Sequence, residues 1–138
     1  SDNMKKLTCV AYLNLFLIFY EKLFIIARIY IFMELSKKKC IPCEGNMPPL
    51  NEGEIENLLK HVNGWNVEDN RLAKQFNFRD FREAMGFVNK IAEVAESEGH
   101  HPDIMIHYSQ VDIELWTHTI NGLSENDFIV AAKIDELI

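Results

Sequence analysis

Four of the chain's five histidines, His100, His101, His107 and His118, fall between Glu96 and Asp127. Imidazole, with an unperturbed pKa of about 6.5, is the side chain best matched to giving and taking protons near neutrality. Several imidazoles flanked by carboxylates therefore suit general acid–base chemistry. The same four histidines form a conceivable zinc set, yet neither an HExxH helix nor a Cys/His spacing accompanies them. Each residue also has a plainer reading. Adjacent histidines at a helix end complement the helix dipole, and His118 fits the polar face of a strand. Glu96 fits a solvated helix face, Tyr108 the end of a hairpin, and His107 a surface position. Asp127 lies three residues after Ser124, as the acidic partner of a capping box does. By residue type alone Asp127 is better explained as structural, and the other readings compete with catalysis.

The elements that must position these groups follow from local pattern. Gly99 closes a helix, and Pro102 pushes His101 into extended geometry, so a strand starts there. Asp103–Tyr108 and Val111–His118 alternate, and Ser109-Gln110 reads as a two-residue hairpin turn. That register opposes Tyr108 to Val111, Ile106 to Ile113 and Ile104 to Leu115 on an apolar face. The other face pairs His107 with Asp112, Met105 with Glu114 and Asp103 with Trp116. Extended one step, it predicts His118 opposite His101 on adjacent strands, on one face, at a Cβ spacing of about 4.5–5.5 Å.

Composition narrows the class. A chain of 138 residues that is 48% hydrophobic supports one domain with a real core plus an appendage. A net charge of −7 and a pI near 5.2 argue against nucleic acid as the main ligand. The odd count of cysteines, Cys9, Cys40 and Cys43, carries no disulfide framework and suits a reducing cytoplasm. No internal repeat or low-complexity tract is present.

Ser1-Asp2-Asn3 ahead of Met4 reads as a cloning remnant. Met4-Lys5-Lys6 and the apolar run Leu7–Tyr20 resemble the start of a signal peptide, but no small-residue cleavage site follows. Glu21, Lys22 and Arg28 interrupt the run before it reaches the roughly 20 residues of a membrane span, so no membrane partner is expected. Leu13, Phe16, Leu17, Tyr20, Phe24 and Ala27 have helical spacing, which makes residues 1–33 an apolar helical extension. Met33 is an alternative start. Cys40-Ile41-Pro42-Cys43 has the spacing of a redox or zinc half-site without a second cysteine pair, and with Pro48 and Pro49 it reads as a linker. Asn51 and Glu54 form a capping box for a helix with Ile55, Leu58, Leu59 and Val62 on one face, ended by Gly64. Trp65–Glu68 and Arg71–Phe78 form a hairpin about Asp69-Asn70, in which Lys74 is the imperfect member of the apolar set. Ala84, Met85, Val88, Ile91, Ala92 and Ala95 mark a long amphipathic helix. Ser124 and Asp127 start the last helix, with Phe128, Ala131, Ala132 and Leu137 or its neighbours buried. Helix, two strands, helix, two strands, helix describes an α+β two-layer sandwich over residues 34–138.

GW-x8-KQFNFRDFREAMGFVNKIAEVAE, EGHHPD and WTH-x8-D together resemble the pterin-4a-carbinolamine dehydratase family, over about residues 34–138. The resemblance implies a four-stranded antiparallel sheet with three helices on one side, and sheets that join across a subunit interface in a homodimer or homotetramer. It implies dehydration of a 4a-hydroxytetrahydropterin in service of an aromatic amino-acid hydroxylase. The family's site residues fall on Glu96, His100, His101, Pro102, Tyr108, His118 and Asp127. In that reading His100 and His118 are the general acids on either face of the pterin. His101 mainly binds and is the candidate base, and Glu96 and Asp127 orient imidazoles or ring N–H groups. Ile104 stands where many relatives carry an aromatic residue, which alters the wall against which the pterin stacks. Pterin is the substrate, and no metal or redox cofactor is required. Animal members also serve as dimerisation cofactors of a homeodomain transcription factor, so a binding module is the alternative function.

Overall fold

The computed structural model describes residues 15–27, 35–42 and 47–138. Helix α1 (Glu52–Leu59) begins with the expected capping box: Asn51 Oδ1 accepts the Glu54 N–H at 3.0 Å, and the Glu54 carboxylate accepts the Asn51 N–H at 2.9 Å. Strands β1 (Asn66–Glu68) and β2 (Arg71–Asn77) follow. Asp69 and Asn70 between them both have positive φ, +48° and +60°, the requirement of the tight hairpin turn that matches strand twist. Helix α2 (Phe81–Glu98) is capped by Asp80 and ends at Gly99, whose φ of +64° suits glycine. Strands β3 (Asp103–His107) and β4 (Gln110–Leu115), a 3₁₀ turn (His118–Ile120) and helix α3 (Glu125–Asp135) complete the domain. The strands form one antiparallel sheet in the order β1-β2-β4-β3. The α+β architecture is the expected one.

Alternation places Leu72 and Phe76 of β2 and Val111, Ile113 and Leu115 of β4 in a core shared with Ala84, Phe87 and Ile91 of α2. Each of these side chains larger than alanine contributes about 1.5–3 kcal/mol by leaving water. Phe87, outside the set that helical spacing marks, packs between Phe76 and Phe78 at ring distances of 4.8 and 4.9 Å, whereas Ala92 is exposed. Phe128–Ala132 of α3 are all buried, so this helix lies inside the layer and has no wet face along that run. Lys74 breaks the alternation for a reason. Its Nζ bonds Asp135 at 2.5 Å and the Asn63 carbonyl at 2.6 Å, and Asp135 also accepts from Trp65 Nε1 and the Asn63 N–H.

Two expectations about the second hairpin need correction. The turn is Tyr108-Ser109, one residue earlier than predicted, with Tyr108 at φ +56°. Ile104 therefore pairs with Ile113, Ile106 with Val111, and His107 with Gln110. The cause is the third strand: β2 pairs with β4 from Leu72↔Leu115 to Asn77↔Gln110 and draws Gln110 out of the turn into the ladder. The pairing moves by an even number of residues, so apolar and polar faces stay segregated. Secondly, His101 and His118 are not a cross-strand pair. Strand β4 stops at Leu115, because Thr117 bridges to Gly122 and turns its hydroxyl onto Asp127, which leaves His118 in the 3₁₀ turn. Gly122 is needed there, since a Cβ would sit 2.7 Å from Pro49 Cβ.

Residues 15–27 are helical, as the spacing predicts, and exposed throughout; residues 1–14 and 28–33 of the expected extension lie outside the described residues. Residues 35–42 behave as part of the domain. Leu35 is buried, Ser36 bonds Glu136, Lys38 pairs with Glu125 at 2.6 Å, and Lys39 Nζ reaches the Ser97 carbonyl at 2.7 Å. Among the described residues no helix is long and apolar enough to cross a membrane.

Candidate active site

A cavity of about 410 Å³ opens where the C-terminal end of α2, the segment after β4 and the strap of residues 40–42 meet. Its walls include His100, His101, Trp116, Thr117, His118 and Asn126. Gly99 reverses the chain at the end of α2, and the extended residues after it diverge in direction. His100 turns inward, with its side chain 12% exposed, and its Nε2 lies 2.6 Å from Asp127 Oδ1. His101 turns outward, and its Nε2 lies 2.8 Å from Glu96 Oε1, one turn back on α2.

Asp127 is completely buried and fully used. Its Oδ2 accepts the Ser124 N–H at 2.8 Å and the Thr117 hydroxyl at 2.9 Å, while Oδ1 faces His100. One carboxylate thus starts helix α3 and holds an imidazole, so its two sequence readings describe two oxygens of the same group. A carboxylate accepts only, so His100 Nε2 carries the hydrogen and Nδ1 is left for a ligand. His118 lies in the 3₁₀ turn with its ring stacked on Trp116 at 3.8 Å.

Not every predicted site residue converges. Tyr108 caps the far end of the β3–β4 hairpin, stacked on Phe81, roughly 23 Å along the extended chain from His101. Pro102 is half-buried and does not line the cavity; it sets the direction of the chain between His101 and β3. Glu96 is not in the cavity wall and contacts His101. His107 reaches Asp112 across the hairpin at 3.6 Å, on the surface. Among the described residues no three His, Cys, Asp or Glu side chains converge as a metal site would require.

Sequence reasoning missed the strap. Asn126 clamps it from both sides, accepting the Ile41 N–H at 3.1 Å and donating to the Ile41 carbonyl at 2.7 Å. The Cys40 N–H donates to Glu98 Oε2 at 2.9 Å, and Lys133 lies 3.1 Å from the same carboxylate. Burial pushes the Glu98 carboxyl up, but the Cys40 N–H, Lys133 and Lys39 outweigh it and hold it below the ordinary value. The resulting stabilisation is complete above the unfolded value of 4.5 and is lost as pH falls through the lowered folded value. Cys40 goes the other way. Burial, reinforced by Glu98, pushes its thiol up to about 12, the opposite of the depressed pKa of a redox Cys-X-X-Cys. Alkylation at pH 8, followed residue by residue, is expected to be about a thousandfold slower at Cys40 than at an ordinary thiol. The rate should still climb tenfold per pH unit at pH 10; saturation near pH 9 would contradict the burial argument.

The model of the family described as pterin 4 alpha carbinolamine dehydratase matches residues 48–137. The chain belongs to this family. A relative from Nitrosomonas eutropha, provisionally named a pterin-4-alpha-carbinolamine dehydratase, is 51% identical over 106 residues, 76% of this chain and 94% of its own length. A protein of the same provisional name from Rickettsia bellii is 53% identical over 105 residues, 75% of this chain and 93% of the relative. A crystal structure from Brucella melitensis, described as a transcriptional coactivator/pterin dehydratase, aligns with a TM-score of 0.62 at 35% identity. That alignment covers 64% of this chain and 97% of that one. The dehydratase family match includes both histidine segments and Asp127 but begins after the strap.

Proposed function

We propose that the chain dehydrates 4a-hydroxytetrahydropterin to quinonoid dihydropterin by histidine acid–base catalysis, returning the spent cofactor of an aromatic amino-acid hydroxylase. The observation that carries this reading is the meeting of three imidazoles from two chain segments around one cavity, one of them anchored on a fully buried carboxylate. The cavity's size lies in the range of small-molecule sites. In the reaction the C4a–O bond breaks, the hydroxyl leaves as water with a proton from an imidazolium, and N5 gives up its proton as the N5=C4a bond forms. Positioned proton donors and acceptors suffice for both transfers. His100 and His118 serve as acids from two edges of the cavity. His101, steadied by Glu96, binds the ring and takes the proton. No metal or redox group has a task in this chemistry.

Tyr108 lies too far from the cavity to bind the substrate within the same chain, and Pro102 contributes by directing the chain between His101 and β3. A homodimer or homotetramer fits the place of β3 at the edge of the described sheet, and a cytoplasmic location fits the odd cysteine count. The Brucella structure's coactivator description supports a second reading, a dimerisation partner for another protein. The complete histidine set favours the enzyme.

The functional domain is taken to begin near residue 34, because residues 35–42 are bonded into the domain while the helix at 15–27 is exposed throughout. Removing residues 1–32 is expected to leave turnover of the 4a-carbinolamine within about twofold of the full chain, measured by absorbance of the quinonoid product. Absence of turnover in the full chain would refute the enzymatic reading. Loss confined to a truncated chain that still folds would refute the boundary.

A further inference from the structure

Each of the paired histidines has a carboxylate on Nε2, but His118 is held differently. Among the described residues its side chain forms no hydrogen bond, and it is exposed. Its backbone is fixed, since the 3₁₀ turn is closed by the Asn121 N–H on the His118 carbonyl at 3.2 Å, with Asn121 at φ +49°. The imidazole itself rests on the Trp116 indole, with ring centroids 3.8 Å apart and planes inclined by 27°.

Trp116 is in turn anchored from the sheet face that carries no helices. Its Nε1 donates to Asp103 Oδ2 at 3.0 Å, and the Arg71 guanidinium lies 4.7 Å from its ring. Arg71 bonds Glu114 at 2.5 Å and lies 3.7 Å from Asp103. Groups from β2, β3 and β4 therefore fix the plane on which His118 lies. The stack sets the plane of the imidazole against a large, rigid aromatic face.

We infer that Trp116 is a positioning residue for His118, fixing the imidazole's orientation toward the cavity in place of the carboxylate that His100 and His101 use. The inference rests on the dehydratase reading above. Trp116 also lines the cavity, so the test must separate positioning from direct contact. A substrate contact would change KM for both 4a-hydroxy stereoisomers alike. Lost positioning lowers kcat for the isomer that depends on His118.

The experiment uses the full chain, both stereoisomers, the variants Trp116→Leu, Trp116→Phe and Asp103→Ala, and His118→Ala as reference. Trp116→Leu is expected to lower kcat for the His118-dependent isomer roughly fivefold to tenfold, the size of a lost stacked pair, with KM little changed. Trp116→Phe keeps an aromatic face and recovers most of that loss. Asp103→Ala, which leaves the cavity lining intact, gives a smaller loss of the same selectivity. Independently of turnover, the His118 ring protons should show an upfield ring-current shift in NMR spectra of the wild type and Trp116→Phe, and lose it in Trp116→Leu. If His118→Ala spares both isomers, the catalytic assignment of His118 fails, and the positioning role fails with it. If His118→Ala is selective but Trp116→Leu slows both isomers equally, raises only KM, or keeps the ring-current shift, the positioning inference alone is overturned.

Discussion

Turnover of one 4a-hydroxy stereoisomer is expected to fall by roughly 10²–10⁴-fold when His118 is replaced by Ala, and turnover of the other when His100 is replaced. The two imidazoles enter the cavity from different segments, one following α2 and one following β4. A proton donor reaches only a leaving group on its own side of a flat ring. Each acid should therefore serve mainly one configuration at C4a, with substrate affinity preserved in both variants. His101→Ala should instead raise the apparent dissociation constant and, because His101 also takes the N5 proton, slow both isomers alike. The double variant His100→Ala/His118→Ala should lose both isomers. Equal losses for both isomers in each single variant would mean a coupled unit and would end the two-acid assignment.

The second large effect is expected at Asp127, where site and fold share one group. Asp127→Ala removes the acceptor from His100 Nε2, the Thr117 hydroxyl and the Ser124 N–H, all in a buried setting. Stranding these donors should cost about 3 kcal/mol, roughly 10 °C in Tm. Asp127→Asn separates the two roles. Its amide oxygen can still cap α3 and accept from Thr117, but its NH₂ faces His100 and forces Nε2 to become the acceptor. That neutral tautomer lacks the Nε2 hydrogen, so the doubly protonated imidazolium that serves as the acid is disfavoured beside the amide. Most of the stability should survive, while turnover of the His100-dependent isomer falls by about 10²-fold or more. Thermal melts and isomer-resolved kinetics on both variants decide the matter: an Asn variant as active as wild type would leave Asp127 a helix cap and nothing else.

The capping box at Asn51, the left-handed Asp69-Asn70 turn and the Gly99 helix end were legible in sequence because each depends on a few neighbouring residues. The second hairpin was misread by one turn position because its register depends on β2, a strand distant in sequence that pairs with β4 along its whole length. Local alternation gave the correct faces and the wrong partners. The cross-strand meeting of His101 and His118 failed for a related reason: extending the ladder ignored what the Thr117 hydroxyl gains from Asp127. Phe87 escaped the helical pattern because its burial comes from Phe76 and Phe78, which the sheet brings to it. The strap was invisible because its bonds to Asn126 and Glu98 join residues far apart in the chain through backbone groups. No residue type signals such contacts in advance.

The left-handed turn at Gly99 has a last consequence, which concerns the traffic of protons with bulk water. Because His100 and His101 diverge, one dipeptide spans two solvent regimes: the His101 side chain is 60% exposed and the His100 side chain 12%. His101 can exchange its proton with buffer at any stage of a catalytic cycle. His100 has its Nε2 closed off by Asp127, and its side chain lines a cavity that bound pterin would fill. On the proposed reading, a proton that His100 gives up cannot be replaced from solvent until the product departs. Reloading the acid and releasing the product then become one event, and turnover of the His100-dependent isomer should slow as solvent viscosity rises; a rate indifferent to viscosity would show that the acid is reloaded from within the site.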